Sequence, residues 1–600
     1  MRDPTISTIH RYSNRFFRST DLARDFDDPN GLQGYCLTEF GKSCLTRISD
    51  GLKTNSSRRA WRLTGDFGSG KSSFALLLAN TLRDARARLP GDLREQVLHE
   101  VPDAKKLQYI PVLVVGDREA MALAILRGFH KVLAELFPRG AKSSLDLAIE
   151  RALGTSRGSD HEILHLIQQA NAKVIKSGKG DGTLLILDEV GKFLEFSALH
   201  PEDQDVYFLQ QLAEMAARSG KRPFMVVCLL HQGFNAYANQ LAHATQREWE
   251  KIAGRFEEIL FQQPLDQVAL LVASALNLDV AKIPPLLKRE AELLFTIAID
   301  LGWYGTSTSR DTLRRLQHRL FPLDPMVLPV LVRTFQRFGQ NERSLFSFLC
   351  SHEPFGLRVF SNSPLKSETR LYQLADFYDY IRTNLGHRLA VASYRSHWNV
   401  IESVIEARNS DDPLELRVLK TIGVLNLLNA ADLLPTEEAL VWAVGGGSKT
   451  EQAKIRAVLK KLIKARVLYF RGETRGYSLW PYTSVDIEAR VDEAKRAIPT
   501  LSQIAQAITD QLDPQPIVAR AHYIKTGNLR YFDVVYCRPS ELLDRASTHA
   551  TLADGVIFVP MCESLAEHKN AKTIAHQITE RGDGLIQIVA VPRPLTISSR

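Results

Sequence analysis

Residues Ala60 to Leu82 read AWRLTGDFGSGKSSFALLLANTL, and this stretch decides the fold. Ala60 to Thr64 is a short apolar run suited to a buried strand, and Ser73 to Leu82 has the Leu and Ala spacing of a helix. Between them Gly65, Asp66, Phe67, Gly68, Ser69, Gly70, Lys71 and Ser72 make a complete GxxxxGK[ST] match. In that setting the glycines let backbone N–H groups wrap phosphates, and the helix N-terminus adds positive potential. Lys71 reaches the β- and γ-phosphates and Ser72 offers its hydroxyl to Mg2+. Ser73 joins these eight as a phosphate-binding candidate. A glycine turn that binds nothing is the alternative, and it leaves the order of strand, motif and helix without a reason.

Outward from the motif, short apolar runs alternate with long helical patterns: Trp61 to Thr64, Tyr109 to Val115, Leu184 to Leu187, Met225 to Leu230 and Ile259 to Phe261. Such alternation predicts an α/β fold, a P-loop NTPase parallel sheet with helices on both faces. The third run ends in Asp188 and Glu189, and in P-loop enzymes that strand edge holds the metal. Asp188 is expected to bind Mg2+ through its water shell, and Glu189 to orient and deprotonate the attacking water. The bland reading is a helix cap. The fourth run ends in His231 and Gln232, either of which can touch the γ-phosphate or the lytic water, with Gln232 preferred; a structural histidine is the alternative. Arg255, just ahead of the fifth run, can reach a neighbouring subunit's γ-phosphate or pair on the surface with Glu257 or Glu258.

Walker A, an Asp-Glu Walker B, a polar strand end, an arginine before the fifth strand and a following helical lid together resemble the AAA+ class. Within it the chain is most similar to the branch of origin-recognition-like initiators and STAND-type ATPases. Residues Gly339 to Ser344, GQNERS, are similar to that branch's sensor-2 helix start, which implies Arg343 as a γ-phosphate contact from the lid side. GKFLE (Gly191 to Glu195) and GQNERSLFSFL (Gly339 to Leu349) also look like large P-loop proteins encoded in bacterial phage-defence islands. The resemblance covers roughly residues 1 to 480. The fourth run lacks the Asn that the family places there.

The 600 residues, at about 150 per domain, suggest about four domains. A composition of 44% hydrophobic, 8% aromatic and 24% charged residues excludes collagen-like, disordered and disulfide-scaffold classes. No apolar stretch nears the roughly 18 to 20 residues a membrane helix needs, so no membrane partner is expected. The start, MRDPTISTIHRYSNRFF, has no secretory h-region, which makes cytoplasm the default compartment. Six cysteines without a CxxC pair read as reduced core residues. The net charge of +8 permits nucleic-acid contact without demanding it.

His161, Glu162 and His165 form a literal HExxH, the spacing that puts two imidazoles on one helix face for zinc. No third-ligand helix follows before Leu184, so an exposed helix face is expected instead. Leu414 to Trp480 reads as three helices and a two-stranded ribbon, the order of a winged helix. Lys449, Lys454, Arg456, Lys460, Lys461, Lys464 and Arg466 line its third helix and Arg471 and Arg475 its wing, while Ile455, Leu459, Leu462 and Ile463 keep core spacing. Those cations fit DNA phosphates, a solvated face or a protein-docking surface. Beyond Pro514, strands at Arg530 to Tyr536, Gly555 to Val559 and Leu585 to Val591 alternate with helices, a small accessory α/β module.

The expected order is an N-terminal segment packing on the ATPase core (1–57), the P-loop ATPase domain (58–265), a helical lid and connector (266–410), a winged helix (411–482), and a helical linker with the C-terminal α/β module (483–600). The expected activity is binding and hydrolysis of Mg-ATP by an AAA+-like ATPase acting as a conformational or assembly switch. Possible partners are DNA, through the winged helix, and further copies of the chain in a nucleotide-dependent homo-oligomer. A slow-hydrolysing STAND-like switch that recruits proteins is the rival.

Overall fold

The computed structural model describes residues 4–12, 20–66, 68–138, 143–154, 159–199, 205–231, 254–305, 308–339, 345–366, 370–391, 394–408, 412–445, 447–472, 474–480, 514–519, 522, 528–579 and 586–594. Two compact units divide the chain, 1–482 and 483–600. Among the described residues no helix is long and apolar enough to cross a membrane. All six cysteines are free thiols.

The first unit is built on five parallel strands, β1 (Ala60–Thr64), β2 (Tyr109–Val115), β3 (Gly182–Asp188), β4 (Phe224–Leu230) and β5 (Glu257–Leu260). Their order is β2-β3-β4-β1-β5. Every residue of β3 and β4 is buried, as expected of strands covered on both faces. One face packs on Leu126, Phe129, Ile167, Phe193 and Leu209 from four helices. The other packs on Leu45, Ile48, Phe74, Leu77 and Val97. Pairing of Val115 with Asp188, and of Thr64 with both Leu230 and Leu260, aligns the C-terminal strand ends at one edge. β4 therefore stands between the P-loop strand and the acid strand.

The N-terminal segment divides between two cores. Leu22, Leu32, Leu37, Cys44 and Leu45 do pack on the sheet. Ile6 and Ile9 instead join Ile283, Leu287, Leu294, Phe321 and Leu371 of the helical region. There the backbone N–H groups of Ile6 and Ser7 donate to Ser363 O and Ser361 O at 3.0 and 2.7 Å. In the single 3-10 turn Ile6–Ile9 these two apolar side chains are buried while the first backbone N–H groups find partners outside the turn.

Among the described residues, every named element between 265 and the ribbon is a helix. One hydrophobic core runs from Ala269 through Val330, Phe348 and Tyr380 to Val418, Leu440, Leu459 and Leu479. It spans both the expected lid and the following three helices, Pro413–Leu428, Glu437–Ala443 and Lys449–Lys464, whose antiparallel ribbon is β6 (Leu468–Phe470) and β7 (Tyr477–Leu479). In the last helix Ile455, Leu459 and Leu462 are buried with Val458, but Ile463 is not. Position 463 follows 462 by 100° of helical turn and so leaves the core stripe.

The second unit holds a sheet of order β11-β10-β9-β8, in which β9 (Tyr531–Cys537), β10 (Gly555–Pro560) and β11 (Ile586–Val589) are parallel. β8 (Ile517–Val518), a strand the sequence did not announce, pairs antiparallel to β9. Helices Leu542–Thr548 and Leu565–Thr579 contribute Leu542, Ala546 and Ile578 to its core beside Val556 and Phe558.

Asp324 lies in the helical core with 1% of its surface exposed. One carboxylate oxygen accepts from Met326 N–H at 2.8 Å, and the other has no hydrogen-bond partner among the described residues. Burial pushes this carboxyl up to about 7, with Glu290 adding to the effect. The native state therefore keeps a proton that the unfolded chain releases near 3.8, and stability is lost as pH climbs through the window between those values. Asp324→Asn is expected to gain stability over the parent at pH 8 but little at pH 4, with a ceiling of about 4 kcal/mol, read as the difference between paired thermal melts.

Candidate nucleotide site

The loop after β1 is shaped by what surrounds it. Gly65 N–H donates to Leu230 O at 3.1 Å, and a Cβ on Gly65 would lie 2.4 Å from Phe261 O, so only glycine lets the loop leave between β4 and β5. Gly70 has φ 93 as it starts the helix Lys71–Arg88, with open space where a Cβ would stand. That space is where a phosphate can approach backbone N–H groups at a helix start.

Lys71 is 4% exposed, and its ammonium donates to Gly65 O at 2.5 Å and Asp66 O at 2.8 Å. Ser69 Oγ is 3.4 Å away and His231 Nδ1 3.5 Å. Burial pulls its pKa from 10.5 to about 8 against the opposing pull of Asp188 and Asp66. Burial likewise raises Asp66 and Asp188. Asp188 is 6% exposed, hydrogen-bonds to the side chain of Ser72 and accepts from Glu189 N–H at 2.8 Å. The structure thus joins the two residues expected at the metal. Among the described residues no cluster of three or more His, Cys, Asp or Glu forms a protein-only metal site. A metal held by one hydroxyl and one carboxylate, with phosphate oxygens supplying the rest, suits Mg2+.

His231, at the end of β4, sits on the far side of Lys71. Burial, then Lys71 and Lys192, bring its pKa down to about 4, so the imidazole is neutral at physiological pH. Glu189 stands beside Asp188 with its carboxylate 2.5 Å from Lys192 Nζ. Ser73 faces elsewhere, its hydroxyl 2.7 Å from Thr20 Oγ1 of the N-terminal segment. Arg255 is exposed in a turn before β5 and pairs with Glu214 at 3.6 Å. The alternative open to it, a pair with Glu257 or Glu258, is not formed among the described residues: Glu257 is engaged by Arg58 at 3.5 Å and Glu258 by Arg62 at 2.8 Å. Phe67, Gln232 and Arg343 lie outside the described residues.

Lys192 and Thr20 are the site neighbours that the motifs do not reveal. Lys192 is legible once Glu189 is named, since residues three apart at a helix start are neighbours. Thr20 is not, because nothing local links it to position 73. His161, Glu162 and His165 are exposed on the helix Asp160–Lys176, and His165 Nδ1 lies 3.2 Å from Gln169 Nε2.

No family model matches the chain, and no curated protein does. Two solved structures of the Aeropyrum pernix ORC2 protein are similar to it. The ADPNP-ADP complexes align with 81% of this chain and 98% of theirs at 12% identity and a TM-score of 0.30. The ADP form aligns with 79% of this chain and 97% of its own at 13% identity, again with a TM-score of 0.30. Neither bears on the STAND-like or phage-defence side of the resemblance, and the reading of the site rests on this chain's own residues.

Phosphate beside Lys71 restores the ammonium's preference for its proton, so nucleotide binding should take up protons near the free site's pKa. Calorimetric titration of ATP at pH 8, in buffers of different ionisation enthalpy, is expected to show uptake of roughly half a proton per site. A Lys71→Arg variant, charged throughout, should show none from this position.

Proposed function

We propose that this chain binds and hydrolyses Mg-ATP as an AAA+-like ATPase whose cycle drives a conformational or assembly change. The observation that supports it most is the convergence, at one edge of a parallel sheet, of the buried Lys71 ammonium, the Ser72–Asp188 pair and Glu189. Phosphates are to be wrapped by the backbone of residues 65–73, with Lys71 facing the β- and γ-phosphates. Mg2+, held at Ser72 and Asp188, supplies charge neutralisation on the transferring phosphoryl group. Glu189 orients the water and takes its proton. His231, neutral, is placed to donate or accept one hydrogen bond near the γ-phosphate. Arg255 and Arg343 remain candidates for contacts from a neighbouring subunit and from the lid.

We read residues 58–265 as the ATPase domain, 266–410 as the lid and 411–482 as a winged helix that contacts DNA. Lys454, Lys460 and Lys464 are exposed on its third helix, with Arg471 and Arg475 in its wing, a layout that fits phosphates. Two cations of the set are already engaged: Arg456 with Glu437 at 2.9 Å, and Lys461 with the buried Glu415 at 2.7 Å. A second reading, a nucleotide-held switch that hydrolyses slowly and recruits proteins, draws support from the engagement of Glu189 by Lys192.

Lys71→Ala is expected to abolish ATP binding, and Glu189→Gln to bind ATP while losing turnover by about 100-fold or more; equal turnover in Glu189→Gln would assign the base elsewhere. Changing Lys454, Lys460 and Lys464 together to Glu should lower duplex DNA affinity and reduce the slope of log affinity against log salt by about 0.9 per lost contact. Its melting temperature should hardly move. Lys461→Glu alone should lower that temperature, because it sets a second negative charge on a carboxylate that is 2% exposed.

A further inference from the structure

Lys192 stands three residues after Glu189, in the first turn of the helix Val190–Leu199, with its backbone N–H donating to Glu189 O at 3.0 Å. Its ammonium lies 2.5 Å from Glu189 Oε2. Glu189 itself has φ 50, a left-handed backbone that costs a residue with a Cβ and sets the direction in which its carboxylate leaves the strand. The end of β2 is tied to the same turn, since Gly116 N–H donates to Asp188 O at 2.9 Å. The ammonium is stabilised first by Glu189, then by Asp117 and Asp188, and its charge is felt by His231 on the other side.

A base must present a free oxygen lone pair to the attacking water. As water adds to the γ-phosphorus, the bond from that phosphorus to the leaving oxygen of ADP breaks, and the water's proton passes to Glu189. An ammonium in contact with that carboxylate occupies an oxygen and draws its electron density away from the proton. The pair is also about half exposed, with 47% of the lysine and 36% of the glutamate side chain in contact with solvent. Ion pairs this exposed are weak, so a nearby anion can displace the lysine. Weakness suits a device that has to open.

Resting on the ATPase reading above, we propose that Lys192 is a latch on Glu189: paired, it withholds the Oε2 oxygen from the attacking water, and full turnover requires the ammonium to leave. Lys192 is then a positioning residue. It acts on the rate through Glu189 and leaves nucleotide binding to Lys71.

Steady-state turnover and the affinity for a fluorescent ATP analogue, measured on the full chain, test this. Lys192→Met is expected to raise kcat about 3- to 10-fold, the range open to a weak exposed ion pair, with KM and analogue affinity unchanged. Lys192→Gln should act in the same direction, and Lys192→Arg should keep the latch shut. In a Glu189→Gln background Lys192→Met should have no effect, an outcome that a merely structural lysine would not produce. Turnover by Lys192→Met equal to or below the parent's, or a gain that persists without Glu189, overturns the latch while leaving the ATPase reading intact. Absence of Lys71-dependent nucleotide binding in the parent chain overturns both.

Discussion

Burying a lysine ammonium is costly unless every donor is answered, and the site at Lys71 is organised around that demand. Two loop carbonyls accept from it, Gly65 can supply one of them only by passing against Phe261, and two acidic side chains lend it negative potential without touching it. The same burial neutralises His231 and raises Asp188. Charges held this tightly in a partly dry pocket respond to an arriving polyphosphate far more than exposed ones do.

Strand order makes those responses local. With β4 between β1 and β3, the histidine that follows it lies 3.5 Å from the Lys71 ammonium and within the influence of the Lys192 charge. Parallel pairing brings every strand to the edge with the same polarity, so side chains distant in sequence converge without long loops. The helical part beyond residue 265 is a different construction. Its single core joins the helices around Phe348 to those around Leu440, which makes the basic helix Lys449–Lys464 an extension of the same packed body.

What could be read from the sequence was what repeats at short range. The P-loop, its flanking strand and helix, the acid strand and the three helices with their ribbon all announce themselves through periodicity of two or 3.6 and through glycine spacing. What escaped depends on contacts between distant segments: Thr20 on Ser73, Arg255 on Glu214 and Lys461 on the buried Glu415. Ile463 escaped for a subtler reason, since a run of two apolar residues does not say which one turns inward. Lys192 sat within a quoted motif without a role, although its spacing of three from Glu189 makes the two neighbours.

Ile6 and Ser7 pair with backbone about 350 positions further along, at Ser363 and Ser361, and Ile9 and Arg11 with backbone at Asp279 and Asn277. During synthesis they leave the ribosome long before their partners exist, at a rate that makes the wait tens of seconds or so. In that interval Ile6 and Ile9 are bare apolar side chains without the slot that later covers them. Because so separated a pairing carries a large loop-closure penalty, it is expected among the last contacts to form. Maturation of this chain would then end at its beginning, and the docking of those few residues reports that the whole helical body has already folded.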